Sequence, residues 1–161
     1  MGCGPEQLAE DWQRLDLPLP APDFTLAQLE GPRVQLSGLR GQVVIMEFWA
    51  TWCGPCRYST PSLEVIYRRF KGRGVTVLLI NQGESPDTVQ RWAEGRFTAP
   101  ILLDEDQRVG RLYGVQGIPR LLIIDQQGSI LYDRSGYHGG LEQNLTILLN
   151  ELLSGALRRV A

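Results

Sequence analysis

Cys53 and Cys56 stand two residues apart in the stretch EFWATWCGPCRYSTP, residues 47–61, with Gly54 and Pro55 between them. Two thiols at that spacing can clamp a metal, staple a loop, or open and close as a redox couple. A structural zinc site takes four ligands, and beyond this pair the chain offers only Cys3 and His138, in unrelated contexts. A disulfide across so short a loop removes little entropy from the unfolded chain, so stapling is a weak reason for it. Disulfide exchange instead runs through a thiolate, which must be ionised and reachable. A strand, then Cys53-Gly54-Pro55-Cys56, then a helix meets both conditions. The bare N–H groups and positive dipole end of the helix favour an anion at Cys53. Cys56, expected one turn into the helix, can close back on Cys53. Pro55 suits a first helical turn, where its missing N–H costs nothing, and Gly54 lets another backbone come close. The expected cycle has Cys53 attack a target disulfide and Cys56 resolve the mixed disulfide.

The elements that must hold this pair follow from hydrophobic patterning. QVVIMEFW is a continuous apolar run of strand length and predicts a strand buried on both faces. From Pro55 to Phe70, residues Leu63, Ile66, Tyr67 and Phe70 recur at helical spacing; Pro61 is kink-prone, and KGRG ends the helix. VTVLLIN predicts a second buried strand, and SPDTVQRWAEGRF a helix capped by Ser85. APILLD reads as a strand, QRVGRLYGV as a short helix, and RLLIID-QQG-SILYD as an antiparallel hairpin. LEQNLTILLNELLSGAL closes the chain as an amphipathic helix. Before all of these, residues 1–22 end in the proline-rich LPLPAP and read as an extended lead-in. FTL and VQL, flanking Gly31-Pro32, predict a small hairpin. Such alternation implies an α/β fold with a mixed sheet flanked by helices, one domain spanning residues 23–157.

With 161 residues and 43% hydrophobic content the chain can bury one real core. A net charge of -2 leaves no basic footprint for nucleic acid. The longest apolar runs, VVIM and LLII, are strand-sized, far below the roughly 18 residues of a membrane helix. Three cysteines are too few for a disulfide scaffold. Cys3, in MGCGPE, follows a glycine as in the last residues of a bacterial lipoprotein signal whose apolar part has been removed. Cys3 is then expected to carry a lipid anchor, the membrane's only hold on the chain. The alternative is a stray thiol near a terminus.

EFWATWCGPC, followed by YGVQGIP at residues 113–119, resembles the thioredoxin superfamily, both motifs matching in order and in structural context. APDFTLAQLEG and VQLSGLRGQVVIMEFWATWCGPCR are similar to its extracytoplasmic TlpA/ResA-like branch, the likeness running from Pro22 to the closing helix. That resemblance implies a three-layer thioredoxin-like fold with an N-terminal β-hairpin extension. It implies a monomeric thiol–disulfide oxidoreductase outside the cytoplasm, with no metal and no cofactor beyond the Cys53–Cys56 disulfide. Its expected partners are client proteins carrying thiols or disulfides and an upstream membrane thiol donor. Cys-Gly-Pro-Cys and the isoleucine before the proline match the reducing members of the family, so reduction of clients is the expected direction. Cytochrome c maturation is the expected pathway. Ile118-Pro119 resembles the family's cis-proline loop, which with Trp52, Gly54 and Pro55 forms the expected client-binding rim. Trp49 is expected in the core, while Trp12, Trp92 and His138 carry no expected role.

Glu47 and Ser59 are departures. Glu47 stands six residues before Cys53, where thioredoxin proper has a buried aspartate that shuttles the proton of the second cysteine, and where relatives in this branch often carry an uncharged residue. On a strand buried on both faces its pKa should rise, which suits a proton acceptor near neutral pH, so Glu47 joins Cys53 and Cys56 as an expected catalytic residue. The alternative turns Glu47 toward a water pocket. Ser59 occupies the position where many cytochrome-maturation members carry a glutamate, and Arg120 follows Pro119 where threonine is usual. Arg120 could favour a Cys53 thiolate, select acidic clients or face solvent. Two rivals remain: a peroxiredoxin-like peroxidase, which shares the APDFTL opening but needs a Thr/Ser and Pro pattern that FWATWC lacks, and a metallochaperone or adaptor, for which the cysteine spacing is wrong.

Overall fold

The computed structural model describes residues 12–155, so Cys3 and the expected lipid anchor lie outside the described residues. The strands are β1 (Gln13–Pro20), β2 (Thr25–Gln28), β3 (Val34–Gln35), β4 (Val43–Trp49), β5 (Val75–Gln82), β6 (Ile101–Asp104), β7 (Arg120–Ile124) and β8 (Ser129–Ser135). The helices are α1 (Cys56–Phe70), α2 (Pro86–Ala93), α3 (Arg108–Leu112) and α4 (Leu141–Ser154). The strands form one mixed sheet in the order β1-β8-β7-β4-β5-β6-β2-β3. β4 runs parallel to β5 and antiparallel to β7.

Every residue of β4 is buried, as a central strand with helices over both faces requires. Alternation along β4 sends Val43, Ile45, Glu47 and Trp49 into the half-core shared with α1 and α4, and Val44, Met46 and Phe48 into the other half with Val109 of α3. Glu47 therefore faces the helix that carries Cys56. α2 begins where expected, its Ser85 side chain accepting the Thr88 N–H at 3.3 Å. β2 and β3 form the expected hairpin, and β2 also pairs with β6, so the hairpin extends the main sheet.

Two elements differ from expectation. Helix α1 opens on Cys56 with Pro55 as its cap, so Cys56 is the first helical residue rather than one turn inside. The cause is the tight entry: the Arg57 N–H bonds the Gly54 carbonyl and the Tyr58 N–H the Pro55 carbonyl. The lead-in is extended, but its residues 13–20 are a strand of the sheet, paired antiparallel with β8. As an edge strand β1 tolerates Pro18 and Pro20, with its register broken between Arg14 and Leu19. Trp12, fully buried against Tyr132, seats it on the core.

Candidate active site

The turn after β4 carries the cysteine pair. Cys53 and Cys56 are joined in a disulfide. The backbone N–H of Cys56, the first of α1, points at Cys53 Sγ from 3.3 Å. An unpaired helix N–H aimed at a sulfur stabilises its thiolate when the bond opens. The Ile118 carbonyl lies 3.7 Å from the same sulfur, and the Ile118–Pro119 peptide bond is cis. The structure thus brings Cys53, Cys56, Ile118 and Pro119 together.

In the disulfide form both cysteines are almost covered, Cys53 being 3% exposed. Reach comes from the rim: Trp52 is 71% exposed, Gly54 and Pro55 are exposed, and a Cβ added at Gly54 would meet nothing within 4 Å. Trp49 is buried, as expected.

Glu47 is fully buried, closed off from bulk solvent. Its two oxygens take one hydroxyl each: Ser59 Oγ donates to Oε2 at 2.5 Å and Thr60 Oγ1 to Oε1 at 2.6 Å. Desolvation pushes the carboxyl from an ordinary 4.5 up to about 7, against the two hydroxyl bonds that pull it down. Arg120 is engaged within the fold and does not simply face solvent. Its guanidinium grips Asp133 through Nε at 2.8 Å and Nη2 at 2.6 Å, and Nη1 donates to the Gly114 carbonyl at 3.1 Å. That fork ties β7 to β8 immediately after the cis proline. His138 is exposed.

Sequence reasoning missed three supports. Glu84 accepts the Thr51 N–H at 2.7 Å, the Thr51 hydroxyl at 2.5 Å and the Asn81 amide at 2.8 Å, pinning the start of the cysteine turn to the end of β5. Tyr58 stacks on Tyr137, ring centroids 5.6 Å apart, and the neighbouring Gly136 N–H bonds the Pro119 carbonyl at 2.8 Å. The third is the Ser59–Thr60 pair itself. Residues three and four beyond Cys56 share its helical face, a signal present in the sequence. Glu84 and Tyr137 leave no comparable signal, because their partners are brought close only by the folded sheet. Among the described residues no group of three or more His, Cys, Asp or Glu side chains converges as a metal site. No helix among them is long and apolar enough to cross a membrane.

A mixed sheet with a cysteine pair at the head of a helix and a cis proline against it defines a thioredoxin-like domain with a redox disulfide. Residues 19–133 match the AhpC/TSA family. The chain belongs to that family, in its TlpA/ResA-like branch. It is 39% identical over 112 residues to the thiol-disulfide oxidoreductase ResA of Geobacillus thermodenitrificans, a match covering 68% of this chain and 64% of that protein. The match therefore spans a little under two thirds of that relative's length. A solved structure from Chlorobium tepidum, assigned as thiol:disulfide interchange protein DsbE, superposes with a TM-score of 0.79 at 31% identity, covering 86% of this chain and 99% of that one. The exposed lipoprotein thioredoxin Etrx1 of Streptococcus pneumoniae superposes with a TM-score of 0.71 at 27% identity, covering 81% of this chain and all of that one, 100%.

Proposed function

We propose that the protein is a thiol–disulfide oxidoreductase that reduces client disulfides through Cys53 and Cys56. The observation that carries the reading is the Cys56 N–H directed at Cys53 Sγ beside the cis Ile118-Pro119 bond. The Cys53 thiolate attacks one sulfur of the client disulfide; the other client sulfur leaves as a thiolate, and a mixed disulfide remains. Cys56 then gives its proton to the Glu47 carboxylate, and its sulfur attacks Cys53 Sγ. The bond between Cys53 and the client breaks, the second client sulfur leaves as a thiolate and takes a proton from water. The client has gained two electrons and the protein's dithiol has become the disulfide. No cofactor enters, and an upstream membrane thiol donor returns the two electrons. Trp52, Gly54 and Pro55 form the rim a client meets, while the Ile118 backbone receives its extended segment.

The reading places the protein outside the cytoplasm as a monomer that delivers reduced thiols for cytochrome c assembly, and the ResA and DsbE names of the relatives favour that place and pathway. The lipoprotein relative supports Cys3 as an anchor. Substitution of Cys56 by serine tests the core of the proposal. Cys56→Ser expressed in the native compartment should accumulate client proteins linked through Cys53, released by dithiothreitol, and Cys53→Ser should accumulate none. Absence of adducts from Cys56→Ser would remove disulfide exchange as the function. Oxidised peptides of the Cys-x-x-Cys-His type, offered beside unrelated disulfides, test the cytochrome branch by their relative rates of reduction.

A further inference from the structure

Ser59 is unusual in having two acceptors within reach. Its Oγ is 2.5 Å from Glu47 Oε2 and 3.5 Å from the carbonyl oxygen of Cys56. A hydroxyl carries one proton and two lone pairs and rotates to suit its surroundings. Facing an ionised Glu47, Ser59 donates to the carboxylate. Facing a protonated Glu47, it can accept that proton's hydrogen bond and turn its own proton to the Cys56 carbonyl. Neither state then leaves a buried polar group without a partner, which is what makes both states of a fully buried acid tolerable.

Nothing charged competes for this control. Across the sheet Glu47 pairs in register with Leu79 of β5 and Leu121 of β7. On α1 and the turn before it, the other titratable groups facing this half-core are Cys53, Cys56, Glu64 and Tyr67. The Glu64 carboxylate is occupied by the Thr98 and Ala99 N–H groups and by Arg68. β8 contributes Tyr132 and Arg134, which lie against Trp12, and α4 contributes leucines. In the disulfide form burial raises the Glu47 carboxyl and the Ser59 and Thr60 hydroxyls lower it.

We propose that Ser59 is a positioning residue of the exchange reaction: with Thr60 it clamps Glu47 of β4 against the head of α1, and by reversing its hydrogen bond it lets that carboxyl take up and release the Cys56 proton. This rests on the proton-acceptor role given to Glu47 above. The clamp also joins the two sequence departures into one device, since the residue at 59 is the direct partner of the residue at 47.

The test is a titration of the Glu47 carboxyl in the full-length oxidised protein, read by carbon NMR with labelled glutamate and assigned by the signal absent from Glu47→Gln. Wild type should titrate near 7. Ser59→Ala should titrate about one unit higher, a tenfold gain in proton affinity, whereas Ser59→Thr, which keeps the hydroxyl, should return to the wild-type midpoint. Melting curves for each variant establish that it is folded, and Thr60→Val supplies a second removal of one clamp bond should Ser59→Ala fail to fold. A midpoint unmoved in both hydroxyl deletions would overturn the clamp. In parallel, the pH profile for resolution of a mixed disulfide between Cys53 and a small aromatic thiol should move upward by the same amount in Ser59→Ala. A carboxyl that moves while this profile stays still would remove Ser59 and Glu47 from the reaction. Loss of all exchange in a wild-type protein whose carboxyl responds as described would strike the functional reading and leave the clamp standing.

Discussion

Glu47 is the residue at which burial of an acid costs the fold stability. Its carboxyl is raised from 4.5 to about 7 because burial disfavours the charged form. The sign follows from proton uptake: between those values the folded protein holds a proton that the unfolded chain has lost. Stability from this group is therefore whole below about 4.5, falls as pH rises, and stays reduced above about 7. The size is about 3 kcal/mol. Glu47→Gln should flatten that fall, so its stability advantage over wild type should grow between pH 4.5 and 7.5 in urea titrations. Parallel curves for the two proteins would show that Glu47 keeps an ordinary acidity in the fold. That an acid stood here was legible from the run VVIMEFW, and so was the absence of a glutamate at 59. Their contact was not, because it needs the phase of β4 and of α1 together with the exact start of the helix.

Elements matter to the site through their ends. β4 and β5 are parallel neighbours, so their carboxyl ends emerge side by side, and the cysteine turn leaves one while Glu84 follows the other. Glu84 gathers three donors from Thr51 and Asn81. Glu84→Ala leaves the Thr51 N–H without its acceptor and should cost about 2 kcal/mol. Hydrogen exchange at the Thr51 amide should then accelerate while the β4 and β5 amides stay protected; an unchanged Thr51 rate would show that the turn holds itself. Most of these elements announce themselves by period: the two-sided apolar runs of β4 and β5, the Ser85 cap of α2, the hairpin of β7 and β8. β1 does not. Its prolines and exposed leucines read as a lead-in, because an edge strand needs no continuous apolar face and takes its identity from the β8 strand it meets.

At the scale of the molecule, β1 decides where the sheet ends. It covers the outer edge of β8, and its hold on the core is Trp12, 0% exposed, packed edge-on to Tyr132 with the Arg134 guanidinium 5.2 Å from its ring. An aromatic ring so placed is worth far more than its single position suggests, since removing it leaves a cavity beneath an edge strand that has few other buried side chains. Trp12→Ala should lower the unfolding free energy by about 3–5 kcal/mol, read as a lower denaturant midpoint with little change in slope. The site lies at the other end of the logic: Cys53, Cys56 and the cis proline hang on β4, α1 and β7, none of which touches Trp12 through a hydrogen bond. Disulfide exchange per folded molecule, the proposed activity, should therefore match wild type at temperatures where Trp12→Ala remains native. A loss below about 0.5 kcal/mol, within the range of an ordinary surface substitution, would mean that β1 rests on the sheet without closing it.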